Sequence, residues 1–112
     1  MNYRDELKQT EQLLSNRVAQ WGSNTPLHVT IDLAAVRKEI ASYDADPYGY
    51  TLNRYDAALA EYRKAVINAQ NKYHTTEPYD DFKDRCSEQE REEIEALRKA
   101  CEDAYQDHYA TL

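Results

Sequence analysis

Apolar residues return at helical intervals through most of the chain. Tyr3, Leu7, Leu14, Val18 and Trp21, with Leu13 beside them, mark one side of an amphipathic helix over residues 2–20. Gly22-Ser23-Asn24-Thr25-Pro26 stops it, with Gly in the C-cap place and Pro just beyond. Leu52, Tyr55, Leu59, Tyr62, Val66, Ala69 and Tyr73 step by three and four, a heptad seam that predicts a long helix starting near Asn53. Ser87 and Glu90 fit a capping box, and the helix it opens runs to about Tyr109. Its Ile94, Leu97, Cys101, Ala104 and His108 make a second heptad-like seam facing the first.

Two stretches are less clear. Leu27-His28-Val29-Thr30-Ile31-Asp32-Leu33 alternates apolar and polar residues with period two, as a half-buried strand does. Leu33, Val36, Ile40 and Tyr43 are spaced for a helix, and Asp32 is a good N-cap. The expectation is an extended segment at 27–31 feeding a short helix at 33–43. A strand there would need a partner for its backbone groups, and Tyr48–Leu52 is the one other candidate. Asp44–Gly49 and Thr76–Asp81 read as turns. The pattern thus predicts an all-α fold in a single acidic domain over 1–112. It is a small antiparallel helical bundle of three long helices and one short, with the two seams at its centre and the Trp21 helix laid against them.

Composition narrows this further. In 112 residues there are only 2 Gly and 3 Pro, too few for a many-turned β architecture. No apolar run approaches the length of a membrane span, and no apolar stretch follows Met1–Glu6 as a secretory signal requires, so a cytoplasmic protein is expected. Cys86 and Cys101 without such a signal read as reduced, buried thiols. Aromatic content is nearly all tyrosine: 10 Tyr, with Trp21 and Phe82. Each ring brings a hydroxyl that needs water or a partner, which implies a wet-edged core or an adhesive surface.

Charge changes the picture most. The net charge is −7. Between residues 77 and 95 stand nine acids (Glu77, Asp80, Asp81, Asp84, Glu88, Glu90, Glu92, Glu93, Glu95) and three bases (Lys83, Arg85, Arg91), so this segment holds nearly all of it. Part of the excess is explained by solubility and by the preference for acids at a helix N-terminus. The remainder suits recognition of a basic partner. Tyr79 and Phe82 lie inside the acidic stretch, and Tyr48 and Tyr50 lie in the comparable earlier turn, placed as interface anchors would be. The candidate partner-binding residues are therefore Tyr48, Tyr50, Tyr79, Asp80, Asp81, Phe82, Asp84, Glu88, Glu92, Glu93 and Glu95. Residues 88–95 would span roughly 12 Å of helix with five acids and one Arg, about half the charge density of duplex DNA. That density permits imitation of a few phosphates but falls short of a whole duplex.

Catalytic signals are sparse. There is no Gly-rich phosphate loop and no H-E-x-x-H, and His28, His74 and His108 fall in three separate segments. Ser87 is explained as a cap. A metal set from His74, His108, Cys101, Asp103 and Asp107 would have to assemble in space. The expectation is no enzyme, no cofactor and no metal. The negative total charge also argues against direct nucleic-acid binding.

Tyr55–Val66 resembles the second helix of a tetratricopeptide repeat over about 12 residues, but no second copy follows at the ~34-residue period. In size and charge the chain resembles phage anti-restriction and anti-CRISPR proteins, or bacterial toxin-immunity proteins. That resemblance implies an inhibitor occluding a basic, nucleic-acid-binding surface of its partner. The alternative is a homo-oligomeric adaptor, for example a helical homodimer burying Tyr55, Tyr62 and Tyr73.

Overall fold

The computed structural model describes residues 2–112, and among them every regular element is helical. The helices are α1 (Tyr3–Trp21), α2 (Leu27–Ala45), α3 (Pro47–Lys72), α4 (Tyr79–Phe82) and α5 (Glu88–Tyr109), with 3-10 turns at Gly22–Asn24 and Lys83–Arg85. The fold is all-α, with four long helices and one short one. None of the described helices is long and apolar enough to cross a membrane. The chain divides into two compact units, one of residues up to Tyr50 and the other Thr51–Ala110.

The first unit is an antiparallel α1/α2 hairpin. Asn2 caps α1 by accepting from the Asp5 amide at 2.9 Å, and Gly22 closes it with φ +54°, a left-handed conformation that suits glycine. Leu14, Val29 and Leu33 form the hairpin's core, with Val18 and Val36 packed against them. Arg4 joins Asp44 at 2.6 Å, and Arg37 joins Glu11 at 3.6 Å.

Segment 27–31 is helical, not extended, and α2 is correspondingly long. A lone strand would leave its amides and carbonyls unpaired, whereas a helix satisfies its own. The period-two alternation is absorbed by two i,i+4 pairs on opposite faces. Val29 and Leu33 go inward, while Leu27 and Ile31 stay 73% and 57% exposed. The 44–49 turn also disappears into helix. Asp46 alone separates α2 from α3; its carboxylate accepts from the Gly49 amide at 3.0 Å, and Pro47 fills the first helical position. A Cβ on Gly49 would meet that carboxylate, so a larger residue here would make the Asp46 side chain shift.

The second unit pairs α3 with α5 in antiparallel sense, and the segment between them folds back as a plug. Ala69, Tyr79, Phe82, Cys86 and Ile94 form its buried cluster, with Tyr62, Ala65, Val66 and Tyr73 at the margin. α3 ends in a Schellman arrangement: the Thr75 amide donates to the Gln70 carbonyl at 3.0 Å, and His74 takes φ 51°. The capping box at Ser87 and Glu90 is present in full.

Candidate functional site

The acidic segment owes its surface to the way its aromatics turn inward. Tyr79, Phe82 and Cys86 fall at i, i+3 and i+7, and all three point into the α3/α5 core. Asp80, Asp81 and Asp84 alternate with them and remain exposed. Tyr79 and Phe82 are only 3% and 1% exposed, which overturns the expectation that they project as anchors. Burying two large rings beneath a two-helix pair gains more than leaving them in water.

The nine carboxylates divide into two sets. Glu77 pairs with Arg85 at 2.9 Å, Asp80 with Arg98 at 3.0 Å and Lys83 at 3.7 Å, and Glu95 with Arg98 at 3.6 Å. Glu90 is the most tightly held. It accepts from the Tyr73 hydroxyl, from the Ser87 amide at 2.9 Å and from Lys72 at 3.0 Å. These donors, the Tyr73 hydroxyl foremost, lower its pKa from 4.5 to about 2. Four acids are thus spent on the fold itself. Asp81, Asp84, Glu88, Glu92 and Glu93 are exposed and make no ion pair among the described residues. Glu88, Glu92 and Glu95 share one outer line of α5, by their i, i+4, i+7 spacing.

A pH dependence follows from Glu90. Its folded pKa is depressed, so its contribution is complete above pH 4.5 and is lost as pH falls toward 2. The Glu90→Gln variant should be less stable than the parent at pH 7, with the gap closing between pH 4.5 and 2. Denaturant midpoints measured across that range test this; a gap that stays constant would refute it.

Tyr48 and Tyr50 belong to the first unit. Tyr48 is 49% exposed on the first turn of α3. Tyr50 is half-buried, with its ring 5.0 Å from that of Tyr43 and its hydroxyl on Glu39.

Sequence reasoning passed over two aromatics that the structure leaves outside. Tyr105 and Tyr109 are 45% and 61% exposed and stack at 6.2 Å. Tyr55, read as a core seam residue, is half-buried and touches Tyr105 at 5.5 Å. The i,i+4 spacing of Tyr105 and Tyr109, off the 94–108 seam, was the available signal.

Of the residues weighed as a metal set, Cys101, Asp107 and His108 are buried. Thr51 Oγ1 lies 2.9 Å from His108 Nδ1, and Thr51 is fully buried. Arg54 lies 3.8 Å from the buried Asp107. Both thiols are buried, and burial raises their pKa. No group of three His, Cys, Asp or Glu side chains among the described residues is placed to hold a metal ion.

No family model matches this chain, and no curated protein or solved structure matches it either.

Proposed function

We propose that the chain is an acidic protein-binding module that covers a cationic surface of a partner and so inhibits it. The observation that carries this reading is the unspent charge of Asp81, Asp84, Glu88, Glu92 and Glu93, which remains exposed after four neighbouring acids have been paired internally. The capping box and the Tyr79/Phe82 plug hold that charge on an ordered support. Preorganised like charges of this kind steer a basic partner and select its orientation. A basic groove that normally holds nucleic acid has the complementary sign, and occupying it would mask it. The tyrosine anchors proposed for this face at Tyr79 are replaced in this reading by carboxylates alone.

The test is reversal of all five acids to lysine. A photo-crosslinker at position 84 or 92 first captures the partner in producing cells, and its affinity is then measured with purified components. Reversal should weaken binding by on the order of 10²-fold and flatten its dependence on salt. Equal affinity for the reversed and parent proteins would reject the reading.

A further inference from the structure

The second unit contains an internal example of how its tyrosines and carboxylates hold a cation. The Arg98 guanidinium lies 5.8 Å from the centroid of the Tyr62 ring and 5.1 Å from that of Tyr79. It donates to the Tyr62 hydroxyl at 3.3 Å and to Asp80 at 3.0 Å, with Glu95 at 3.6 Å. One heptad further along the same α3/α5 seam the composition recurs without its cation. Tyr55 precedes Tyr62 by seven residues, Glu102 follows Glu95 by seven, and the place of Arg98 is taken by Tyr105.

There the Tyr55 and Tyr105 rings meet at 5.5 Å, tilted 57°, and Tyr109 stacks beyond at 6.2 Å. Tyr55, Tyr105, Cys101, Glu102 and Gln106 line an open groove of about 270 Å³. Glu102 is exposed, and among the described residues it makes neither an ion pair nor a side-chain hydrogen bond. Arg63 on α3 makes no ion pair with Glu102.

We infer that this groove receives an arginine side chain of the basic partner. The inference rests on the docking reading above and names an anchor point for it. Tyrosine faces attract a cation, a planar guanidinium stacks on them, and the same fork donates to a carboxylate at the rim. Lysine carries the charge but cannot stack, so arginine is favoured. The groove opens on the flank of α5 that also carries Glu95, so an arginine entering it brings its chain along the acidic line.

The probe is a capped (Gly-Arg-Gly-Ser)₃ peptide titrated into the full chain, with lysine and citrulline versions beside it. Tyrosine ring resonances report binding. The Arg peptide should move the Tyr55 and Tyr105 ring signals to saturation. The Lys peptide should bind more weakly, and the neutral citrulline peptide should leave the signals in place. Tyr105→Leu and Glu102→Gln should each weaken the Arg peptide about fivefold. Tyr105→Phe, which keeps the ring, should bind as the parent does. Glu102 is fully outside the core, so its variant tests the groove even if Tyr105→Leu were to perturb folding. Ring signals that do not respond, equal binding of the citrulline peptide, or parental affinity in Glu102→Gln would each overturn the inference. The two readings fail separately. Loss of groove binding with partner affinity still sensitive to the five-acid reversal rejects the groove alone. Groove binding that persists while the five-acid reversal leaves the partner bound rejects the docking face alone.

Discussion

Replacing Phe82 with alanine should cost about 3–5 kcal/mol of stability. Phe82 is 1% exposed, meets the Tyr79 ring edge-on at 6.1 Å and lies 6.4 Å from the Tyr73 ring. Its removal opens a cavity among Ala69, Cys86 and Ile94, where helix backbones leave little room for collapse. Small domains hold only about 5–15 kcal/mol in total, so the second unit would lose a large share of its stability. Denaturant unfolding followed by far-UV circular dichroism measures the shift. A variant that keeps parental stability and loses only partner binding would return Phe82 to an interface role and contradict the packing described above. Asp81→Lys, one residue away and exposed, should do the reverse: stability nearly unchanged, partner binding weakened.

Arg98→Ala should cost about 2–3 kcal/mol. The side chain is 27% exposed, and it ties α4 to α5 by lying over Tyr79 while bonding Tyr62 and Asp80. Its guanidinium pKa is raised, first by the Tyr62 hydroxyl and then by Asp80. Most of the loss comes from ring stacking and from the buried stem rather than from the rim ion pair, because Asp80 is 61% exposed and an exposed pair contributes only about 0–1 kcal/mol. Arg98→Lys should therefore recover less than half of the loss, since an ammonium lacks the planar fork that reaches the Tyr62 hydroxyl and Asp80 from beside the Tyr79 ring. Asp80→Asn should cost under about 1 kcal/mol. If Asp80→Asn proved as damaging as Arg98→Ala, the ion pair and not the stacking would be the source of stability.

Much of this architecture was legible because several signals agreed. At α5 the capping box, the favourable charge pattern and the 94–108 seam all point to one helix, and that helix forms. At Gly22 the turn chemistry and the end of the apolar spacing coincide, and α1 stops there. Reading failed where one signal outweighed another. In 27–33 the alternation of apolar residues suggests a strand, but Tyr48–Leu52, the one candidate to pair with it, is itself helical, and a helix both satisfies its own backbone groups and buries Val29 and Leu33. Asp46-Pro47 reads as a turn, although Asp before Pro is also the signature of an N-cap followed by the first helical residue.

Pro26 and Pro78 stand immediately before the first residue of a helix and Pro47 is itself the first, so each of the three prolines opens a helix rather than a loop. The site was harder to read than the fold. Charge along a sequence does not reveal which acids find a base in space, and Glu90 and Asp80 looked as available as Glu92. Nor does a short aromatic-acidic stretch show which way its rings face; Tyr79 and Phe82 point inward because the α3/α5 pair offers them the only large apolar shelter in their unit.

Both cysteines lie sheltered in one unit, while the single tryptophan, Trp21, lies in the other. The chain therefore carries a separate natural reporter for each half. Alkylation of Cys86 and Cys101 clocks the opening of the α3/α5 unit, and indole emission follows the α1/α2 hairpin. Equal rates would mean that the two halves unfold as one cooperative body, and unequal rates that each melts on its own.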